Sequence, residues 1–359
     1  MSAQADRPAT PDVVVITSSR DPDARFVARA VRRHGGTVFS WHTDEISADQ
    51  SLGLEVGADR ASAVVRTPQG TLDLLDPSHG VRSVWLRRMA LPRLPAAIHP
   101  DDAAFAEAEN QALLRAIFQC AFPGALWVNG WAAGRRAEAK LVQLLEARRV
   151  GLTLPPTLIS NDRADIESFM ARRAEGQTLY KPFNFKEWTL GDGQRRTAFA
   201  NRVTCANLPS APLQRANPGI FQQFVDKRFD ARLVLFGSTC IAAAIHGNGS
   251  VDWRHASRMG RSRVEPLDAP STVVHKCLQM MRSLAIAYAS FDFVVDHDGQ
   301  YHFLELNEAG QFLWLEEVCP DLPLADGFAR FLIHGDLGFD AAAGASTDRV
   351  TLDSVLARA

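Results

Sequence analysis

A chain of 359 residues is long enough for two or three domains with substantial apolar cores. Its formal net charge of −2 gives no global attraction to nucleic acid or to an anionic membrane surface. Five scattered cysteines without a C-x-x-C pair, an N-terminal segment without a signal-type apolar core, and the absence of any run near the ~20 apolar residues of a membrane span exclude a disulfide scaffold, a zinc ribbon and a membrane helix. The expectation is a soluble cytoplasmic protein.

The first half reads as alternating strands and helices. Residues 12–17 (D-V-V-V-I-T) are a short apolar run typical of a buried parallel strand. Residues 22–34 carry helical periodicity through Phe26, Val27, Ala30 and Val31, Gly35-Gly36 stops them, and residues 37–41 open a second strand. This βαβ opening invites a nucleotide-site reading, which the glycine-free loop S-S-R-D-P-D-A argues against. A hairpin is expected over residues 61–65 and 71–75, turning at Pro68-Gln69-Gly70, then a strand over 83–87 and a long helix from Pro100 to about Phe122. A domain boundary is placed near residue 125.

The second half begins W-V-N-G-W and enters a helix containing Ala137-Glu138-Ala139-Lys140. A strand L-P-P-T-L-I-S follows, then a helix capped by Asn161 or Asp162 and ending near Gly176, then T-L-Y-K-P-F. Lys181 sits inside that apolar run; it either faces an anion or snorkels at a strand end. Residues 186–196 read as a mobile basic loop around L-G-D-G. Residues 220–236 read strand, polar connection, strand, and 241–246 a further strand. Arg254, Arg258, Arg261 and Arg263 fall within ten residues, a run that is either a solvated loop or an anion clamp. Residues 268–287 form a Met-, Leu- and Ala-rich helix, and two closing helices are expected over 311–318 and 322–334.

The most unusual stretch runs from Ser290 to Leu315. Phe291, Phe293 and Val295 alternate with Asp292 and Val294, Asp298-Gly299 supplies a turn, and residues 301–306 return. Asp292 lies between two phenylalanines and Glu305 between two leucines, and a buried carboxylate is costly unless paired or metal-bound. Antiparallel pairing brings Asp292, Glu305 and Asn307 together. Oxygen-only ligands suit a hard cation such as magnesium; the other reading is a carboxylate pair held by arginines or backbone amides. No G-x-S-x-G elbow, H-E-x-x-H or Walker loop is present.

The ordered set of Lys140 on a helix, Lys181 in Y-K-P, the Q-Q-F-V strand end, D-A-R, and D…E-x-N resembles the ATP-grasp fold over about residues 126–335. Within that superfamily the chain is similar to the graspetide (microviridin-type) ribosomal peptide ligases. The supporting segments are V-V-V-I-T-S-S-R-D, S-V-W-L-R-R, W-V-N, V-D-W-R and L-E-L-N-E-A-G-Q-F-L-W. The resemblance implies an α/β protein with a Rossmann-like pre-ATP-grasp domain over residues 1–125, residues 1–10 flexible. Two α+β ATP-grasp subdomains, 126–217 and 218–340, would clamp ATP, and a polar tail, 341–359, has the composition of a disordered segment.

By the same resemblance, Lys140 and Lys181 would contact the ATP phosphates, with Lys181 also near the adenine. Gln223 and Val225 would form the adenine hinge and Asp230 the ribose side. Arg232 and Arg254 would hold the γ-phosphate and the acylphosphate formed from it, with Arg254 and Arg258 meeting an acidic peptide core. Asp292, Glu305 and Asn307 would bind one or two magnesium ions, with manganese as an alternative. The implied partner is a ribosomal precursor peptide with leader and acidic core; neither nucleic acid nor membrane is expected, and a homodimer is compatible with the family. Glu308 departs from the pattern, standing where the family commonly has proline. The competing readings are a RimK- or glutathione-synthase-like carboxylate–amine ligase and a regulatory protein that binds ATP without turnover.

Overall fold

A computed structural model describes residues 10–183, 187–197, 200–247, 262–342, 349–352 and 354. The apolar run V-V-V-I-T forms β1 (Val13–Thr17), buried along its whole length as a central parallel strand must be. Helix α1 (Pro22–Arg33) follows, its first turn capped by Asp21, and leads to β2 (Val38–His42). A separate antiparallel sheet comprises β3 (Ser51–Val56), β4 (Ala61–Thr67) and β5 (Gly70–Asp73). The chain returns as β6 (Ser83–Leu86), crosses through α2 (Pro100–Cys120) and adds β7 (Leu126–Val128), giving a parallel sheet ordered β2-β1-β6-β7.

Helices α3 (Trp131–Glu138) and α4 (Lys140–Arg149) come next. The central subdomain contains β8 (Thr157–Ser160), α5 (Arg163–Ala171), β9 (Thr178–Lys181), the hairpin β10 (Glu187–Thr189) and β11 (Arg195–Thr197), β12 (Asn201–Val203), α6 (Ala211–Ala216) and β13 (Gly219–Gln223). Its main sheet is ordered β12-β9-β13-β8. The last subdomain holds β14 (Phe229–Phe236), β15 (Thr239–His246), β16 (Arg263–Pro266), α7 (Ser271–Leu284), β17 (Tyr288–Val295) and β18 (Tyr301–Asn307). These strands form an antiparallel sheet ordered β16-β15-β14-β17-β18, closed by α8 (Leu313–Val318) and α9 (Leu324–His334).

One core cluster joins Val13, Val31 and Trp85 of the N-terminal sheet layer to Phe236, Phe312, Phe328 and Phe331 of the last subdomain. A second packs Ala137 and Ala147 with Met280, Phe291, Phe293 and Phe303 on the opposite face of the C-terminal sheet. The N-terminal and C-terminal parts are thus joined by continuous apolar packing, whereas the central sheet rests on a small cluster of its own around Ile166, Phe169, Met170 and Phe221.

Several expectations change. Residues 126–128, placed by sequence in the second domain, pair with β6 and complete the N-terminal sheet. The segment Ala137-Glu138-Ala139-Lys140 is not one helix: Ala139 is extended (φ −67°, ψ 112°), so Lys140 starts a new helix. The expected hairpin near residue 68 gains β3, an exposed strand whose L-G-L-E-V sequence lacks a buried face. Part of the basic loop at 186–196 is the regular β10–β11 hairpin, with Thr189 paired to Arg195. The helix expected to end near Gly176 stops at Ala171. The described tail residues Val350 and Leu352 are buried in the first core cluster, with Leu352 N–H donating to Glu316. No described helix is long and apolar enough to cross a membrane, and all five cysteines are free.

Candidate active site

The site grows out of strand register. Arg232 on β14 stands opposite Asp292 on β17, and Asp292 stands opposite Glu305 on β18. The three side chains therefore share one face of the sheet, because cross-strand partners point the same way. The intervening positions Leu233, Phe291 and Leu306 point into the apolar core. Asn307, two residues after Glu305, returns to the polar face and donates to Asp292 (3.1 Å) and Glu305 (3.4 Å). The sequence alternation of acids among phenylalanines and leucines is thus the strand period of two, buried on one side and chemical on the other.

Two cations bind this row. Arg232 Nη1 donates to Asp292 Oδ1 at 2.8 Å, both side chains being almost fully buried, and Nη2 donates to the Gln311 carbonyl at 2.8 Å. Arg232 Nε is buried without a hydrogen-bond partner among the described residues. Lys140 Nζ, at the first residue of α4, lies 2.7 Å from Glu305 Oε2. The carboxylates are thus held by an arginine and a lysine, and the same residues line a cleft of about 1370 Å³.

The opposing wall comes from the central subdomain. Lys181 at the end of β9 donates to Gln222 Oε1 on β13 at 2.5 Å, and Gln222 in turn donates to Thr157 (2.9 Å). At the strand end, Gln223 N–H donates to Pro156 O (2.9 Å) and Phe224 N–H to Gln177 O (2.8 Å), which fixes the turn toward Val225. Asp230, nearly buried, lies 2.7 Å from Lys227. Lys140, Lys181, Gln223, Val225, Asp230, Arg232, Asp292, Glu305 and Asn307 all line the one cleft. Arg254 and Arg258 lie outside the described residues.

Sequence reasoning missed the groups that hold the acidic row in place. Buried Asn129 of W-V-N accepts from Ala287 N–H (2.7 Å) and Tyr288 N–H (3.0 Å) and donates to the Tyr288 (2.8 Å) and Glu308 (2.7 Å) carbonyls. Buried Gln143 pairs with both the N–H (3.0 Å) and the C=O (2.8 Å) of Leu306, supplying an amide in place of a further strand at the sheet edge. Arg87 at the end of β6 donates to Asp23 (2.8 Å) and to the Ala309 carbonyl, and Tyr288 donates to Gly310 O (2.7 Å). Only a polar residue embedded in an apolar helix, as in K-L-V-Q-L-L, could have hinted at Gln143.

Space is tight at Gly310. A Cβ there would lie 3.0 Å from Asn307 Cβ and 3.1 Å from Arg232 Nη2. Glu308 also lines the cleft, its side chain mostly buried and 3.9 Å from Arg135. Burial pushes its carboxyl above the usual carboxylate range, opposed by its own backbone N–H.

As a metal site the row offers two carboxylates and, after a half-turn of the amide, the Asn307 oxygen. No trio of His, Cys, Asp or Glu converges among the described residues. An all-oxygen set already drawing Lys140 and Arg232 fits a hard divalent cation with further oxygens supplied by a phosphate ligand.

Residues 12–133 match the family described as the MvdD pre-ATP grasp domain. Among solved structures, the chain is similar to the macrocyclase MdnC from Microcystis aeruginosa MRC, bound with precursor peptide MdnA: 24% identity, TM-score 0.78, 89% of this chain and 99% of that one covered. It is also similar to a Chryseobacterium gregarium RiPP-associated ATP-grasp ligase in complex with ADP and a leader and core peptide (20%, TM-score 0.80, 95% and 99%). A third is the ATP-grasp ligase PsnB complexed with a phosphomimetic variant of a minimal precursor, Mg and ADP (20%, TM-score 0.70, 90% and 98%). No curated protein sequence matches the chain. Residues 12–133 thus match the MvdD pre-ATP grasp domain, and the chain as a whole shares the fold of these ATP-grasp structures.

Proposed function

We propose that the chain is an ATP-dependent ligase that closes side-chain rings in a ribosomal precursor peptide. The observation that carries the reading is the row Arg232–Asp292–Glu305, facing Lys181 across one cleft. That arrangement places oxygen ligands and cations around a space suited to a polyphosphate, in a fold whose solved relatives hold ADP and precursor peptides.

Asp292, Glu305 and Asn307 would hold magnesium, which would supply charge neutralisation for the polyphosphate. Lys140 and Lys181 approach the phosphates from the two walls, Gln223 and Val225 line the adenine end, and Asp230 with Lys227 lies beyond them. Arg232, anchored on Asp292 and the Gln311 carbonyl, presents a fixed guanidinium to the charge that develops in transfer. An Asp or Glu carboxylate oxygen of the peptide forms a bond to the γ-phosphorus as the bond to the ADP oxygen breaks. A Ser or Thr hydroxyl, or a Lys amine, then attacks the carbonyl carbon; inorganic phosphate leaves with the bonding pair and the nucleophile gives up its proton. The product is an ester or an amide. No enzyme nucleophile is required, which agrees with Cys240, whose thiol burial pushes up to about 12, and with Cys277, pushed up by burial and by Cys240.

The test is to incubate the protein with ATP, magnesium and the short precursor encoded beside its gene, and to follow peptide mass. Loss of one water per ring is expected. ATP consumption with an unchanged peptide mass would refute peptide ligation and leave the RimK-like reading.

A further inference from the structure

The cleft holds seven cationic side chains among the described residues, and six are engaged. Lys140 is held by Glu305, Lys181 by Gln222, Lys227 by Asp230, Arg135 by Glu138, Arg87 by Asp23 and Arg232 by Asp292. Arg88 lines the same cleft with no ion pair or hydrogen bond to any described residue. It is open to the cleft, yet the surrounding protein and then Arg87 hold its guanidinium below its ordinary pKa, with Asp21 and Asp23 acting in the opposite sense. Its neighbour Arg87 is consumed by Asp21, Asp23 and the Ala309 carbonyl, so the charge of Arg88 is left over where an anion can reach it.

Its place in the fold says which anion. Arg88 follows the C-terminal end of β6, a parallel strand, and strand ends of this kind carry ligand-binding groups. That wall belongs to the N-terminal domain and abuts the segment 308–311, which directly follows Glu305 and Asn307, through Arg87 and Ala309. The adenine end at Gln223 and Val225 belongs to the central subdomain. Phosphoryl transfer proceeds with attacking and leaving oxygens roughly in line, so the attacking carboxylate must come from the side away from ADP. Arg88 comes from the N-terminal wall and not from the Gln223–Val225 wall, and a planar guanidinium is matched to a carboxylate by paired N–H donors.

We infer that Arg88 binds the side-chain carboxylate of the peptide Asp or Glu that is to be phosphorylated and aims it at the γ-phosphate. The assignment rests on the ligase reading above and adds to it the residue that recognises the acidic partner. Arg88 is exposed and unpaired, so its replacement leaves the scaffold intact.

The experiment compares wild type, Arg88→Ala and Arg88→Lys with the adjacent precursor and with an analogue whose core Asp and Glu residues are changed to Asn and Gln. Affinity of the ADP-loaded protein for both peptides, and KM for peptide and ATP, are measured. In wild type the acidic core should bind roughly 10- to 100-fold more tightly than the amide core. Arg88→Ala should erase that difference, raise the peptide KM by a similar factor and leave the ATP KM and melting temperature unchanged, with Arg88→Lys intermediate. An undiminished preference for the acidic core in Arg88→Ala overturns the inference while the ligase reading stands. A raised ATP KM with an unchanged peptide KM also overturns it, placing Arg88 on the nucleotide. If wild type leaves the peptide mass unchanged, the ligase reading fails and this assignment with it.

Discussion

The two walls of the cleft are built differently. The C-terminal wall is a five-stranded antiparallel sheet with a large apolar cluster beneath it. Its polar face is cross-braced by Arg232, Lys140, Asn129 and Gln143. The central wall is a four-stranded sheet over a small cluster, and the polar contacts found at its cleft edge are short side-chain links such as Lys181 to Gln222. The contrast teaches a division of labour. Charges that must not shift by an ångström sit on the wall with the deep core, where packing makes side-chain positions stiff. The wall proposed to meet the base end of a nucleotide rests on a smaller apolar cluster, which lowers the cost of opening it.

The largest effect should come from removing the brace within the C-terminal wall. Arg232→Met leaves Asp292 buried without its guanidinium, and breaking one partner of a buried pair costs about 3–5 kcal/mol. Denaturant melts should show that loss, and Arg232→Met combined with Asp292→Leu should recover most of it while remaining inactive. A single variant as stable as wild type would show that the pair is not the brace described.

Next in size, Glu305→Gln should keep the fold and reduce turnover by at least about 10²-fold, because it removes the charge of a proposed metal ligand and the partner of Lys140. Circular dichroism and a magnesium titration separate the two roles. Near-normal turnover would remove Glu305 from the metal set. Gly310→Ala is a smaller intrusion: its Cβ would press on Arg232 Nη2 and Asn307, at an expected cost of about 1–3 kcal/mol, with kcat falling more than peptide affinity. Unchanged kcat in that variant would mean that Arg232 moves freely, against the stiffness assigned to this wall.

The same contrast governs what could be read from the sequence. Asp292 and Glu305 were legible because a carboxylate in an apolar alternating strand is anomalous, and Lys181 for the same reason within T-L-Y-K-P. Arg232 was legible only by resemblance, since D-A-R-L-V-L carries no local sign that its arginine faces Asp292 sixty positions on. Asn129 acts across 158 to 179 residues and Gln143 reaches Leu306 across 163, so no window of sequence contains these strand partners. The helix break at Ala139 was hidden because A-E-A-K is good helix sequence. Tertiary placement of Lys140 against Glu305 overrides that propensity. The burial of Val350 and Leu352 was likewise invisible in a tail of polar composition.

The smallest and most discriminating perturbation falls on the central wall. Lys181→Met removes the hydrogen bond to Gln222 from a half-buried side chain, and the loss of such a bond costs about 1 kcal/mol. If Lys181 serves the nucleotide, its loss should nonetheless raise the ATP KM about tenfold, because a charge-assisted contact to phosphate disappears. Peptide affinity should stay as it was, since the acidic core is assigned to the opposite side of the cleft. The two walls then answer differently to the same class of change. Loss of charge at Arg232 is read mainly in the melting curve, and at Lys181 mainly in the nucleotide KM. A Lys181 variant that loses stability on the scale of Arg232→Met, with an unchanged ATP KM, would reverse the assignment and make the central lysine a structural brace.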